Sequence, residues 1–357
     1  MIRLALAGVL AVSAAQALAA PKEPAPAAKD AGPPGSLVPG SAAKPVPAGP
    51  ARLSADGLKR ELPTPYTPNA EGLHPRLSDQ VDLAYGAYQR GRYNTAFREA
   101  TTRIERNPKD AAALTLLGEL YNQGLGVKQD PKRALEWYRL AANEGDAHAM
   151  ASLGLMAMDG RGQPKDPKAG RVWLEKAAAK GEATAAYNLA LIQIGTGKPE
   201  DLTAAAANLR KAAEAELGPA QHDLGVLYLQ GRGLPKDPAQ AAAWFQRAAN
   251  NGDLAGEVEF AILLFNGTGT NKDETRAARL FLHAAARGNA IAQNRVARLY
   301  AVGRGVPKNL VEAAAWNLAA AAQGLSDAWL DQTLSGLSAD ERSRAERLAA
   351  DRAKLQE

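Results

Sequence analysis

The sequence predicts an all-α chain built as an α-solenoid of stacked helix-turn-helix repeats, and three observations carry that reading. One phrase recurs about six times across residues 111–325, at a spacing of 36 residues with one copy a residue short. Paired glycines close an apolar segment of helical period in five copies: Gly124/Gly126, Gly160/Gly162, Gly231/Gly233, Gly267/Gly269 and Gly303/Gly305. Six residues after the first glycine stands Asp130, Asp166, Asp237, Asp273 or Asn309.

Each part of the phrase has a mechanical role. The apolar segment, fullest in Ala111, Leu114, Leu116, Leu117, Gly118 and Tyr121, reads as a leading helix. Its first glycine ends it and the second forms a tight turn. The Asp or Asn caps a second helix, with proline at the first helical position in Pro131, Pro167 and Pro238. Alanine pairs such as Ala141-Ala142 and Ala248-Ala249 let a neighbouring backbone approach, and the helix stops at Gly145, Gly181, Gly252, Gly288 or Gly324. Stacking such units buries a continuous core between them.

The residues at 183–190 (Ala-x-Ala-x-Tyr-Asn-Leu-Ala), Leu-Gly-x-Leu-Tyr at 224–228, the Gly-x-Gly turns and the Trp-aromatic pairs resemble the Sel-one-like repeat (SLR) family, a relative of the tetratricopeptide repeats. The resemblance implies a right-handed α-solenoid. Two copies depart from the pattern. The third, at 183–217, has a shifted Gly195-Thr196-Gly197 and places Asn208 where others hold Trp137, Trp173, Trp244 and Trp316. Its helix packing is expected to differ locally. The fifth has Leu280 there, an apolar replacement.

The flanks divide readily. Residues 1–20 read as a secretory signal peptide: Arg3, an apolar run from Leu4, then small residues at Ala17, Ala19 and Ala20 before Pro21. Residues 21–72 are rich in proline, alanine and glycine and read as a disordered spacer with a reach on the order of 150 Å. Residues 78–110, with Gly91, Tyr93, Ala96, Ala100 and Pro108, resemble a degenerate tetratricopeptide unit capping the solenoid. Residues 326–357 read as a leading helix bearing Trp329 and a polar final helix opened by a Ser338/Glu341 capping box.

Composition narrows the chemistry. The chain has no cysteine, so an exported form must be stabilised by burial alone, unlike the cysteine-rich secreted members of the SLR family. A net charge of +5 spread over turns and helix faces does not describe a nucleic-acid partner. Ser41-x-x-Lys44 matches a nucleophile pattern but lies in the spacer, away from any rigid pocket. Residues 267–272 imitate a phosphate cradle, yet follow a helix and belong to a turn that recurs in five copies. The four histidines, His74, His148, His222 and His283, form no ligand cluster. The sequence therefore nominates no catalytic centre, no cofactor and no metal.

Function is expected on one face. In the tetratricopeptide superfamily the leading helices line the concave face, through repeat positions two, five, nine and twelve. Carried over, these positions include His148, Leu155, Met158, Tyr187, Leu191, His222, Val226, Leu229, Val258, Ile262, Phe265, Asn294 and Arg298. An apolar groove with polar ends suits a peptide segment of a protein partner. The expectation is a non-enzymatic interaction scaffold, adaptor or regulator of an envelope enzyme or sensor, in the periplasm of a Gram-negative bacterium, with no transmembrane segment in the mature chain. The alternatives are binding of peptidoglycan or another envelope glycan, and a cell-wall or β-lactam hydrolase.

Overall fold

The computed structural model describes residues 82–354; the signal peptide, the spacer and the Ser41/Lys44 pair lie outside them. Helices begin where a short side chain satisfies backbone N–H groups that have no partner of their own. Asp130 accepts from the N–H groups of Lys132 and Arg133 at 3.1 Å, Asp237 from Ala239 and Gln240 at 3.0 Å, and Asn309 from Val311 and Glu312 at 3.1 Å. Leading helices that follow Asp110, Asp146, Asp253 and Asn289 are capped in the same way, whereas the one that follows Leu217 has no side-chain cap. Asp146 accepts from Ala149 N–H at 2.7 Å and Asp253 from Gly256 N–H at 2.7 Å.

The resulting pairs are α1 (Leu83–Gln89) with α2 (Tyr93–Arg106), α3 (Ala111–Gln123) with α4 (Pro131–Asn143), and α5 (Ala147–Asp159) with α6 (Pro167–Ala179). Then come α7 (Ala183–Thr196) and α8 (Pro199–Glu214), α9 (Gly218–Gln230) with α10 (Pro238–Asn250), and α11 (Leu254–Asn266) with α12 (Glu274–Ala286). The last are α13 (Ala290–Val302) with α14 (Leu310–Ala322), then α15 (Ala328–Leu334) and α16 (Ala339–Lys354). No strand occurs among the described residues. Two compact units form, one from residues 82–196 and 207–215, the other from 197–206 and 216–354. Within each, a helix packs on its neighbours in sequence, and leading helices touch, as α3 does α5 and α9 does α11. That is solenoid packing.

The first glycine of each pair ends the leading helix in the left-handed conformation, with Gly160 at φ 75°. The second does more than turn the chain. A Cβ at Gly162 would lie 2.5 Å from the carbonyl oxygen of Pro131, the residue opening the second helix of the preceding repeat. Gly233, Gly269 and Gly305 press in the same way on Leu202, Pro238 and Glu274. The turn is thus also a contact between repeats.

Large fully buried side chains sit one residue beyond the tryptophan position, with Trp244 and Trp316 buried beside them. Trp137 and Trp173 are half-buried, while Tyr138, Leu174, Leu209, Phe245 and Phe281, each following the tryptophan position, are fully buried. Their large side chains explain a glycine in mid-helix. A Cβ at Gly118 would come within 2.6 Å of the Tyr138 ring, and one at Gly225 within 2.7 Å of Phe245.

The third repeat differs as its missing residue suggests. Only Gly197 and Lys198 separate α7 from α8, where residues 124–130 separate α3 from α4. Asn208, in the tryptophan position, donates its Nδ2–H to Gln193 Oε1 at 3.0 Å. At the end of this repeat Glu216 has φ 62°, where Gly145, Gly181, Gly252, Gly288 and Gly324 occupy the same left-handed region. Its carboxylate accepts from Gln221 Nε2 and Asn251 Nδ2, each at 2.8 Å, and from Arg247.

At the other end, Ser338 N–H donates to Glu341 Oε2 at 2.9 Å and Glu341 N–H to Ser338 Oγ at 3.3 Å, the capping box that starts α16. That helix packs on α14, where Arg352 lies 4.1 Å over the Trp316 ring and donates to Glu312 at 2.5 Å.

Candidate functional site

Of the thirteen side chains assigned to the groove, Tyr187, Leu191, Val226, Val258, Phe265 and Asn294 are buried. His148, Leu155, Met158, His222, Leu229, Ile262 and Arg298 are half-buried. The split does not sort by repeat position: position five is buried in Tyr187, Val258 and Asn294 but half-buried in His222, and position nine is buried in Leu191 and Val226 but half-buried in Leu155, Ile262 and Arg298. Position six shares the stripe of two and nine. It was not among the expected positions, and it carries Ser152, Asn188, Asp223, Glu259 and Arg295.

In the second unit this face is held by internal polar contacts. Arg298 donates from Nε and Nη2 to both oxygens of Asp327, at 2.6 and 2.9 Å, with its guanidinium 5.2 Å from the Trp329 ring centre. Asn294 Nδ2 donates to the same carboxylate at 2.8 Å. His222 Nδ1 lies 2.9 Å from Asp223 Oδ1. Burial pulls the imidazole pKa down, but Asp223, with Asp253 and Glu259 nearby, outweighs it and lifts it to about 9. Burial raises the Glu259 carboxyl and lowers the Arg295 guanidinium to about 10.

The first unit presents something different, a pocket of about 220 Å³ between α1, α3 and α5. One stripe of α3 supplies Ala112, Thr115, Leu116, Glu119 and Gln123, positions three or four residues apart and hence on one helix face. From α1 come Tyr85 and Tyr88, stacked with ring centres 6.1 Å apart, and Asp82 at the helix start. The start of α5 adds Asp146 and His148.

Its electrostatics are anionic. Asp82 pairs with Arg103 Nη1 at 2.7 Å, and the same arginine holds Asp110 through two bonds of 2.9 Å. Glu119 accepts from the Tyr138 hydroxyl at 2.5 Å and from Gln123, both neutral donors. Burial, and then Glu119 itself, push the Tyr88 and Tyr138 phenols well above their ordinary range, so both remain protonated. Among the described residues no lysine or arginine pairs with Glu119 or Asp146.

Sequence reasoning named His148 here and missed the rest. The available signal was Glu119, a lone acid in an otherwise apolar leading helix, together with tyrosines clustered at 85, 88 and 93. No group of three His, Asp or Glu side chains placed to hold a metal exists among the described residues, and no helix there is long and apolar enough to cross a membrane.

Comparison with known proteins fits this architecture. A search of curated proteins found no match. A Sel1 repeat protein from Oxalobacter formigenes shares 29% identity, with a TM-score of 0.57 over 66% of this chain and 94% of its own. c5321, a protective antigen of uropathogenic Escherichia coli strains with an SLR fold, is 25% identical over 77% of this chain and 68% of its own, at a TM-score of 0.48. The immunity protein Pa5087 from Pseudomonas aeruginosa is 18% identical over 57% of this chain and 83% of its own, at a TM-score of 0.40. Sel1 repeats are commonly protein–protein interaction scaffolds and are generally non-catalytic. The Sel1 repeat family matches residues 111–146, 147–182, 183–217, 218–253, 257–289 and 290–325, more than half of the chain, and the protein therefore belongs to that family.

Proposed function

We propose that this chain is a non-enzymatic protein-binding scaffold, exported to the periplasm, that engages an envelope enzyme or sensor through the leading-helix face. One observation carries the reading. The repeats agree at their caps, turns and core, and disagree on the leading-helix face, where Glu119, Leu155, Leu191, Val226, Ile262 and Arg298 share one repeat position. Leu191 and Val226 are buried and Arg298 is bonded to Asp327, whereas Glu119, Leu155 and Ile262 are partly exposed, and variation at exposed positions is what a surface that reads a partner requires. The signal-peptide pattern of residues 1–20 supports export, and the spacer at 21–72 supports reach.

Affinity capture from an envelope fraction, with the mature chain as bait and mass spectrometry as readout, tests the proposal. Reproducible recovery of one envelope protein, lost when the leading-helix face is altered, is the expected result; folded bait that recovers none contradicts it. A second reading, binding of an envelope glycan, is favoured by the exposed Tyr85 ring stacked on Tyr88 beside polar groups. Sedimentation of the mature chain with purified peptidoglycan distinguishes it.

A further inference from the structure

The pocket between α1, α3 and α5 has unmet hydrogen-bonding capacity as well as charge. Thr115 is 9% exposed, lines the pocket, and its Oγ1 has no hydrogen-bond partner. The Oε1 of Gln123, two helical turns further along the same stripe, is likewise buried without a partner. Buried polar atoms are ordinarily satisfied, so an unpartnered hydroxyl, able to donate or accept, and an unpartnered amide oxygen in one cavity leave places for a ligand's polar groups. Between them stands Glu119, whose two known donors are neutral. Asp146 accepts only a backbone N–H at 2.7 Å among its described bonds, and Asp82 is answered by Arg103.

We propose that this pocket receives a basic side chain, arginine or lysine, presented by an extended segment of the partner polypeptide. The proposal rests on the scaffold reading and specifies what the scaffold recognises. Charge complementarity selects the occupant, since the lining holds three carboxylates of which one is paired. The Tyr85 and Tyr88 rings give a cation an aromatic wall, and Ala112 and Leu116 give its methylene stem an apolar one. Thr115, Gln123 and Glu119 together offer acceptors for the several N–H donors of a guanidinium or an ammonium. The size agrees: about 220 Å³ is below the range of metabolite sites and suits one long side chain.

The test uses the full mature chain and fluorescein-labelled heptapeptides, alanine and glycine around a central arginine, lysine or citrulline, read by fluorescence polarisation. The arginine and lysine peptides should bind, weaken as salt rises, and exceed citrulline at least tenfold. Glu119→Gln keeps an acceptor for Tyr138 and removes the charge, and should weaken the arginine peptide at least tenfold with circular dichroism unchanged. Thr115→Val, close in shape, and Tyr85→Ala, at an exposed ring, should each weaken it several-fold. Equal binding of citrulline, full affinity in Glu119→Gln, or spermidine competing at the affinity of the peptide would overturn the proposal. If the peptides fail while envelope capture still returns a partner, the pocket assignment falls and the scaffold stands. If neither captures anything, both fall.

Discussion

Gly162 lies against Pro131: the turn that closes one repeat rests on the carbonyl that opens the second helix of the repeat before it. This contact makes the second glycine of each pair a joint between neighbours. Gly162→Ala adds a Cβ where φ is 69° and where the Pro131 oxygen would be 2.5 Å away. It should cost on the order of 3 kcal/mol, combining left-handed strain with overpacking. Urea unfolding of the variant against wild type measures it. A change at Gly181, where an added Cβ meets nothing within 4 Å, should cost only the strain.

Glu216 makes the opposite case, a side chain tolerated where glycine is the rule. Its φ of 62° is held by Gln221, Arg247 and Asn251. Glu216→Ala keeps the strain and loses the bonds, whereas Glu216→Gly loses the bonds and relieves the strain. The glycine variant should be the more stable of the two by about 1 kcal/mol in thermal or urea unfolding.

Glu274 joins α12 to the following repeat. Hydrogen bonds and charge from Arg304 and Lys272 outweigh burial and draw its carboxyl down to about 2. The folded value lies below the ordinary carboxylate value, so its contribution is present above about pH 4.5 and is lost as pH falls towards 2. Glu274→Gln should flatten the acid side of the stability profile, by about 1–2 kcal/mol allowing for partial exposure. Thermal unfolding followed from pH 5 to pH 2.5 reads the difference.

His222 acts on the alkaline side. Its pKa is lifted to about 9, so the stability it contributes is complete below about pH 6.5 and is lost as pH rises through 9. The groups facing it are Asp223, Asp253 and Glu259. Between pH 6 and pH 9.5 the wild type should lose on the order of 1–3 kcal/mol that His222→Gln does not lose. Urea midpoints at the two pH values provide the comparison.

Much of the solenoid could be read from the chain because its punctuation is local. An Asp or Asn cap and a glycine stop act within one turn of helix, so Asp130, Asp237 and Gly160 mark boundaries without knowledge of the fold. What stayed hidden depends on residues far apart in sequence. The seat of Gly162 on Pro131 spans nearly a whole repeat, and nothing near either residue announces it. Burial of the residue after each tryptophan, as in Tyr138 and Phe245, was obscured because two adjacent aromatic residues compete for one core position. The site was less legible still. Positions two, five, nine and twelve and positions two, six and nine are nearly the same stripe of a helix, and only the neighbouring repeat decides between them. The pocket also needs α1, whose unit departs furthest from the repeat phrase, so Tyr85, Tyr88 and Thr115 could not be grouped beforehand.

The most direct test of partner binding on the leading-helix face is site-specific photo-crosslinking in living cells. A photoreactive residue at Leu155 or Ile262, half-buried on the leading helices, is compared with one at Leu140 or Val172, exposed on second helices at 48% and 49%. Crosslinks to one envelope protein from Leu155 and Ile262, and none from Leu140 and Val172, are predicted; crosslinks confined to Leu140 and Val172 would contradict the account.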